Sequence, residues 1–448
     1  MAQFFKASST NKQHNKIIKQ CVIEKLDHQG RGMLFHQNKP MFVEGGLVGE
    51  VVDVSVDENK KRYKKASILK IQRKSDLRVE PECKHYQECG GCHLQHIEQA
   101  TQIEVKQQGL SDLFARFAKH RPSQLEATLT SDAWHYRRCA RFGVIYDRKT
   151  KKVQMGFRRS ASSQLINQEM CLVLKEELSD LILPIKSLLN SLQGKMDLGH
   201  IELLKADNTI AVLLRHLKPL SKQDIGLIQE FANVHALQFY AQSNPTTISC
   251  LTEQSQLSYT LPEQDCTFEF NIDDFVQVNG AVNEKMVQQA INWLELSSTD
   301  CVLDLFCGLG NFSLPIAKQV EKVVAVEGVQ KMVQRGTDNA QKSHLNNIQF
   351  FQADLSDLNS LKADWAKQSY NKILLDPARA GAAECMDFVA NQKPSHIVYV
   401  SCDPVTLARD SALLLAKGYK LTKLGLIDMF PQTAHMESMA LFTKISHN

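Results

Sequence analysis

Five short apolar runs in the C-terminal part of the chain limit its possible folds more than any other feature. From about residue 273 they alternate with segments of helical character; they read CVLDLFCG, KVVAVEG, IQFFQAD, NKILLDPAR and HIVYVSCD. Buried strands that alternate with helices are typical of a doubly wound parallel sheet. The sequence therefore predicts an α/β domain over residues 273–448, completed by the strands YKLTKLGLIDMF and MESMALFTKI.

The end of the fifth run carries a thiol, Cys402, at the point where the predicted strand stops and a helix has not yet begun. Ligands of open α/β sheets bind at the carboxyl ends of the strands. A free cysteine is also among the residue types that are most often buried in a core. This segment alone leaves both interpretations open, a functional thiol and a small core residue.

A glycine-containing turn follows the first run, in VLDLFCGLGNFSLPIA. Gly308 and Gly310 let a ligand approach the backbone, and the helix that follows offers free N–H groups. The turn lacks the third glycine of a dinucleotide-binding loop, and with Asp304 on its strand it resembles the S-adenosylmethionine-binding loop of methyltransferases. Glu327 and Asp354 end the next two strands and are predicted to accept from the ribose diol and the adenine amino group. Capping of the following helices is the alternative role of these carboxylates.

The length and composition of the chain favour a cytoplasmic protein of about three domains. It has 448 residues, and we place the predicted domains at 1–74, 75–272 and 273–448. No apolar run reaches the ~18 residues that a membrane span needs, and the N-terminus lacks the apolar region of a signal peptide. We therefore expect no association with a membrane.

The first predicted domain is a small β-barrel of the oligonucleotide-binding kind. Segments with period-two alternation, such as GEVVDVSVDE, are separated by glycine-containing turns. Residues 1–75 contain 15 lysine and arginine residues against 7 aspartate and glutamate residues. This excess favours a polyanion as the partner, whereas strands with solvated lysine-rich edges are the alternative.

The second predicted domain is of α+β type and begins with a cysteine-rich segment. The stretch PECKHYQECGGCHLQH places Cys83, Cys89 and Cys92 at a C-x5-C-x2-C spacing. Clustered cysteines in a reducing compartment indicate a metal, and three thiolates need a fourth ligand for zinc or a 4Fe-4S cluster. Cys171 is the best distant candidate and Cys139 is its competitor. The spacing leaves zinc and an iron–sulfur cluster both open.

Together these motifs resemble the RNA (uracil-5-)methyltransferase family over nearly the whole chain. The matching segments are CxxxxxCGGCxLQH, QxxxKQ, DFVQVN, DLFCGLGNF, LDPARAG, SCDPVTLARD and FPQTAHMES. The N-terminal barrel is similar to a TRAM domain, and a barrel together with the cluster cysteines favours the bacterial branch that acts on 23S ribosomal RNA. The resemblance implies transfer of a methyl group from S-adenosylmethionine to carbon 5 of a uridine, which gives 5-methyluridine.

The resemblance also implies roles for individual residues. Cys402 is expected to be the nucleophile that forms a covalent adduct with uracil, and Glu437 the general base. A 4Fe-4S cluster is expected on Cys83, Cys89, Cys92 and Cys171. The S-adenosylmethionine pocket is expected to include Gln277, Phe306, Asn311, Glu327, Asp354 and Asp376. One departure is Asp403, where family members commonly have asparagine; a carboxylate there is expected to raise the pKa of the neighbouring thiol.

Further expectations concern the RNA and the surroundings of the reaction. Phe142 and Phe157 are predicted platforms for unpaired bases, and ordinary sheet residues are the alternative. Arg379 is predicted to stabilise an enolate oxygen or to bind a phosphate, with a surface salt bridge as the alternative. His435 either orients its loop or belongs to the core. We expect a monomer that binds ribosomal RNA and not DNA. Two alternative functions remain: methylation of a tRNA or of another ribosomal uridine, and RNA binding without catalytic activity.

Overall fold

The computed structural model describes residues 16–444. It divides into two compact units: residues up to 81 together with 93–109 form the first, and 82–92 together with the chain from 110 onward form the second. The predicted domain boundaries stay predictions, and the first 15 residues of the predicted barrel lie outside the described part. In that part, no helix is both long and apolar enough to cross a membrane.

The first unit is built around a six-stranded sheet. Its strands are β1 (Ile17–Val22), β2 (Lys25–Leu26), β3 (Gly32–His36), β4 (Lys39–Glu44), β5 (Val51–Asn59) and β6 (Lys64–Arg73). They lie in the order β1-β5-β6-β4-β3-β2, in which β4 pairs with β6 in parallel and the other neighbours pair antiparallel. Alternate side chains such as Met41 and Val43, or Val52 and Val54, are buried in one core. The predicted all-β character of this region is therefore correct.

Helix α1 (Gln99–Leu113) follows and continues as a π-helical turn over Phe114–Ala118. The sequence predicts this helix over residues 94–117, so it starts later than expected. The short strand β7 (Glu126–Leu129) follows and pairs with a sheet that the C-terminal part of the chain forms.

A second six-stranded sheet lies in the second unit. Its strands are β8 (Cys139–Asp147), β9 (Lys152–Gly156), β10 (Leu198–Lys205), β11 (Ile210–His216), β12 (Leu237–Asn244) and β13 (Thr247–Cys250). The strand order is β13-β12-β11-β10-β8-β9. Helices α2 (Glu176–Asp180), α3 (Ile182–Ser191) and α4 (Lys222–Val234) contribute buried leucine and isoleucine side chains to its core. The predicted mixture of strands and helices is correct here.

A hairpin and a helix lead from this sheet to the third one. They are β14 (Leu257–Leu261), β15 (Cys266–Phe270) and α5 (Gly280–Leu294). Asn279 caps α5, because its side-chain oxygen accepts from the N–H of Val282 at 3.3 Å. The segment between hairpin and helix carries Gln277.

The third sheet has eight strands in the order β18-β17-β16-β19-β20-β22-β21-β7. The strands are β16 (Cys301–Leu305), β17 (Lys322–Glu327), β18 (Ile348–Gln352), β19 (Lys372–Leu375), β20 (His396–Ser401), β21 (Tyr419–Ile427) and β22 (Glu437–Lys444). The helices are α6 (Ser313–Ala317), α7 (Gln330–Lys342), α8 (Met386–Asn391) and α9 (Pro404–Ala416). Strands β16 to β20 pair in parallel, whereas β22 is antiparallel to β20 and β21. The predicted doubly wound α/β sheet is confirmed.

The connections of this sheet create a crevice at its carboxyl edge. The chain passes outward from β16 to β17 and β18, and then returns to the other side of β16 to form β19. Loops that leave neighbouring strands in opposite directions open a crevice at this switch point, where ligands of such sheets bind. The glycine-containing turn after β16 and the loops after β17 and β19 border it.

Candidate active site

The thiol predicted from sequence lies at the carboxyl edge of the third sheet. Cys402 follows β20 directly, and α9 starts at Pro404. The side chain of Asp403 caps this helix, because its Oδ1 atom accepts from the N–H groups of Val405 at 2.9 Å and Thr406 at 3.4 Å. A proline in the first turn costs no hydrogen bond there. The strand end and the capped helix thus hold the partly buried thiol between them.

Glu437 lies opposite Cys402 in the same sheet. Strands β20 and β22 are antiparallel, and Ser401 pairs with Ser438. Cys402 follows Ser401 directly after the end of β20, and Glu437 precedes Ser438 as the first residue of β22. Side chains at opposed positions of an antiparallel pair lie on the same face, within a few ångströms of each other. The sheet register thus brings together two predicted catalytic residues that are 35 positions apart in the chain.

The groups around the thiol are mainly acidic. Burial, with Glu437 and Asp376 as further causes, raises the pKa of Cys402 to about 11, although the guanidinium of Arg379 lowers it. The two carboxylates that raise the pKa of the thiol most come from β22 and from the end of β19. The carboxylate of Asp403 caps α9, and its expected effect on the thiol stays a prediction.

The carboxyl group of Glu437 is buried and poorly solvated. The residue is 6% exposed, and its Oε2 atom has no hydrogen-bond partner within residues 16–444. Burial and the charge of Asp376 raise the pKa of Glu437 to about 8, and burial raises that of Asp376 to about 7. Carboxyl groups with a pKa near neutrality are suited to take up and release protons during a reaction.

The turn after β16 has a backbone that few side chains tolerate. Phe306 has φ +64° and Gly308 has φ +56°. Gly310 has φ +95°, and a Cβ atom there would lie 2.5 Å from the side chain of Leu314. A bulky residue with positive φ, as at Phe306, is uncommon and is often found at ligand-binding sites. The buried Asp304 accepts from the hydroxyl of Ser313 and so fastens the turn to the start of α6.

Three of the predicted cofactor residues have side chains that are already hydrogen-bonded to the protein, namely Glu327, Asp354 and Asn311. Glu327 accepts from Gly308 N–H at 3.1 Å and from Val329 N–H at 2.9 Å. Asp354 is exposed and accepts from the N–H and hydroxyl of Ser356. Asp354 thus makes local hydrogen bonds of the kind that a helix-capping carboxylate makes, and capping was the alternative role for this residue. Both acids nevertheless lie at the carboxyl edge of the sheet, as the sequence predicts.

Asn311 is part of a polar network that the sequence did not indicate. Its Oδ1 atom accepts from Tyr259 Oη at 2.9 Å and from Asn283 Nδ2 at 3.1 Å, and its Nδ2 atom donates to Asn283 Oδ1 at 2.9 Å. These partners come from the β14–β15 hairpin and from α5, which lie more than 25 positions away along the chain. The remaining predicted positions, Gln277, Phe306 and Asp376, are partly accessible. Their roles stay predictions.

The four cysteines predicted to hold a cluster all lie in the second unit. Burial, with the thiols of Cys89 and Cys83 as further causes, raises the pKa of Cys171 to about 11. Burial raises the pKa of Tyr136, and the thiols of Cys92 and Cys171 are further causes of this rise. Among residues 16–444, no group of three or more His, Cys, Asp or Glu side chains is arranged so that it could hold a metal ion.

The exposure of two other side chains decides between alternatives that the sequence left open. Phe142 is fully buried and its ring stacks on that of Phe157, with 4.6 Å between the centroids, so Phe142 is an ordinary sheet residue of a core. Phe157 is partly exposed, and its role as a platform for bases stays a prediction. His435 is exposed, so it is not a core histidine; its ring edge faces Phe430, with 5.8 Å between the centroids.

The comparison with known families identifies the chain's relatives. The family model described as tRNA (Uracil-5-)-methyltransferase matches residues 98–445. The chain belongs to this family. Membership confirms the resemblance inferred from the motifs.

Two relatives within the family match along their whole length. The chain is 58% identical over 443 residues to the 23S rRNA (uracil(1939)-C(5))-methyltransferase RlmD of Psychromonas ingrahamii, which covers 99% of this chain and 100% of that protein. It is 46% identical over 448 residues to the protein of the same name from Vibrio cholerae, again with 99% and 100% covered.

One solved structure of the family shares the fold. It is the crystal structure of the Pyrococcus abyssi tRNA (uracil-54, C5)-methyltransferase in complex with S-adenosyl-L-homocysteine, with a TM-score of 0.75 and 21% sequence identity. The superposition covers 95% of this chain and 99% of that chain. The third sheet and its helices thus form the fold of an S-adenosylmethionine-dependent methyltransferase.

Proposed function

We propose that this protein transfers a methyl group from S-adenosylmethionine to carbon 5 of a specific uridine in 23S ribosomal RNA. The observation that carries the proposal is the juxtaposition of Cys402, which directly follows β20, and Glu437, the first residue of β22, at the carboxyl edge of a methyltransferase sheet. The relatives named above support ribosomal RNA as the substrate, because their sequences match this chain from end to end.

The crevice beside β16 fits S-adenosylmethionine. Gly308 and Gly310 have no side chains, so a ligand can approach the backbone of the turn. Gly310 in particular has no room for a Cβ atom. Glu327 and Asp354 would bind the polar groups of the nucleoside, and Phe306 and Gln277 would flank it. When bound, the cofactor supplies an electrophilic methyl group.

The first chemical step belongs to Cys402. Its thiol gives its proton to the solvent, and the resulting thiolate adds to carbon 6 of the uracil ring. The addition converts the ring into an enolate whose carbon 5 is nucleophilic enough to accept a methyl group. The exposed guanidinium of Arg379, which already favours the thiolate, would also stabilise the negative charge that develops on the ring.

The last step belongs to Glu437. After methylation, carbon 5 carries both the methyl group and its original hydrogen. The carboxylate of Glu437 takes that proton, the electron pair restores the double bond, and the sulfur of Cys402 leaves carbon 6. A base with a pKa near 8 is partly ionised at neutral pH and is therefore available for this transfer.

The first unit is proposed to bind the RNA backbone as a TRAM-like barrel with an oligonucleotide-binding fold. The loop from β5 to β6, the outer positions of β6 and the residue after that strand present exposed cations, namely Lys60, Lys61, Arg62, Lys70, Arg73 and Lys74. Cations that neutralise phosphates release counterions, which gives an affinity that does not depend on sequence. Recognition of one uridine then depends on the shape of the RNA and on the active site.

A transfer assay tests the proposed function. The purified protein is incubated with labelled S-adenosylmethionine and 23S ribosomal RNA that lacks the modification, and 5-methyluridine is located by mass spectrometry. We expect one methylated uridine in 23S ribosomal RNA and none in 16S ribosomal RNA or tRNA. Methylation of tRNA alone would refute the substrate, and binding without transfer would favour the inactive RNA-binding alternative.

We further propose that Cys83, Cys89, Cys92 and Cys171 hold a 4Fe-4S cluster. A set of four thiols suits such a cluster, and the mutual influence of Cys83, Cys89 and Cys171 supports their proximity. The cluster would join the segment 83–92 to the loop between β9 and α2, which carries Cys171. A fully ligated cluster has no open position for substrate, so its contribution would be structural.

Metal analysis tests the cluster. Protein purified without oxygen should be brown and contain iron and acid-labile sulfide in about equal amounts. Cys89→Ser should lose both, whereas Cys139→Ser should retain both, because Cys139 begins β8 and is not among the four proposed ligands. Colourless protein with one equivalent of zinc would contradict the proposal, as would loss of iron from the Cys139→Ser variant alone.

A further inference from the structure

A buried carboxylate, Asp410, connects the loop after β19 to the strand and the helix on either side of Cys402. Asp410 lies in α9 and is fully buried. Its Oδ2 atom accepts from the N–H of Ala382 at 2.8 Å and from the hydroxyl of Tyr399 at 2.7 Å, and its Oδ1 atom accepts from Arg409 Nε at 2.7 Å. Tyr399 belongs to β20, three residues before the thiol.

The loop fits closely against this carboxylate. Arg409 also donates from Nη2 to the carbonyl oxygen of Ala380 at 2.9 Å. Gly381 has φ +81°, and a Cβ atom there would lie 2.6 Å from both the Arg409 guanidinium and the Asp410 carboxylate. Two hydrogen bonds therefore join the loop to α9, one from Ala382 N–H to Asp410 and one from Arg409 to the carbonyl oxygen of Ala380. Gly381 packs so closely against the same two side chains that no larger residue fits there.

The same loop carries the cation that favours the thiolate of Cys402. Arg379 lies one residue before Ala380, and its side chain is exposed. Asp376, at the start of the loop, is held independently, because its N–H donates to the carbonyl oxygen of Leu305 at 3.2 Å. Release of the loop from α9 would consequently move Arg379 more than Asp376.

We infer that Asp410 is a positioning residue, which holds the loop of residues 376–382 against α9 and thereby keeps Arg379 beside Cys402. The inference rests on the proposed function and deepens it. A buried carboxylate is stable only when charged or polar donors surround it, and Asp410 has three such donors from three segments of the chain. Asp410 itself touches neither of the two proposed catalytic residues.

The charged groups around both residues define the expected effect on pH dependence. Cys402 is faced by Glu437 from β22 and by Asp376 and Arg379 from the loop. Asp410 is faced by Arg409 from its own helix, by Tyr399 from β20 and by Cys385 from the turn that follows the loop. Removal of the loop contact leaves Glu437 and Asp376 near the thiol while Arg379 departs. The thiolate should then require a higher pH.

The test measures the rate of covalent adduct formation with RNA that contains 5-fluorouracil, as a function of pH, in the full-length protein. For Asp410→Asn we expect the rate at neutral pH to fall about tenfold, as for a rise of one unit in the pKa of the nucleophile, and the loss to shrink as the pH increases. Arg409→Gln should act in the same direction. Ser411→Ala is the matched control, because Ser411 is a buried neighbour on α9 whose hydroxyl donates to the carbonyl oxygen of Leu407, within its own helix.

A double variant separates positioning from general destabilisation. If Asp410 acts through Arg379, Arg379→Ala should reproduce the changed pH profile, and adding Asp410→Asn should change it little further. Equal losses at every pH, or full additivity of the two substitutions, would overturn the inference. Should Asp410→Asn fail to fold, Arg409→Gln decides, since that side chain is half exposed. Absence of any adduct with the unaltered protein would instead refute the proposed function.

Discussion

Replacement of Cys402 by alanine should abolish both methyl transfer and the covalent adduct. The fluorine of 5-fluorouracil takes the place of the proton that Glu437 is proposed to remove, so the unaltered protein should accumulate a methylated adduct that survives denaturation. The Cys402→Ala protein has no sulfur to add to carbon 6 and should give no adduct. Its rate of methyl transfer to ordinary RNA should fall by more than about 1,000-fold, as in other enzymes that lose their nucleophile.

The control for this experiment is the same substitution elsewhere in the sheet. Cys301→Ala alters the first residue of β16, at the amino edge of the sheet and away from the crevice, and should retain adduct formation. The adduct rate of the unaltered protein should also increase from about pH 7 to pH 9, because the thiol has a raised pKa and the thiolate is the nucleophile. Adduct formation by the Cys402→Ala protein would show that another group performs the addition.

The position of Cys402 could be predicted because it depends on local signals. The apolar run of β20 and the proline that follows mark the end of a strand and the start of a helix, and the order of strands and helices then places that end at the carboxyl edge of the sheet. Such signals lie within a few residues of the thiol. The same reasoning located the turn after β16 and the acids at the ends of β17 and β18.

The partners of Cys402 could not be derived in this way. Glu437 comes to its side through the antiparallel register of β20 and β22, and the sequence does not state which strands become neighbours. The family resemblance, and not the pattern of residues, indicated this glutamate. Asp410 gave no signal either, because a carboxylate in an amphipathic helix is usually taken as exposed, whereas here it is fully buried.

The aromatic residues show a second limit of the sequence. Phe142 lies among arginines in RRCARFGV, a composition that favoured RNA contact. In the structure its strand has alternating faces, so that the ring is buried while Arg141, on the opposite face, pairs with Glu202. Basic neighbours along a strand therefore say little about the exposure of the residue between them.

Replacement of Glu437 by glutamine should stop the reaction after methylation. Glutamine has nearly the shape of glutamate but cannot take the proton from carbon 5, so the sulfur of Cys402 cannot leave. Ordinary uracil-containing RNA should then form a denaturation-resistant complex that contains the labelled methyl group, and the release of methylated RNA should fall by about 100-fold or more. The proposed nucleophile is intact in this variant, which distinguishes it from Cys402→Ala.

The adjacent residue provides the control for Glu437→Gln. Ser438 is buried on the opposite face of β22, and its hydroxyl has no hydrogen-bond partner in the part of the chain that the structure describes. Ser438→Ala should therefore turn over normally and accumulate no adduct. Because the pKa of Glu437 is raised to about 8, release by the unaltered protein should quicken as the pH rises toward that value, while the Gln variant should lack this dependence. Release of methylated RNA by Glu437→Gln at the unaltered rate would assign the base to another group, of which Asp376 is the nearest candidate in charge and position.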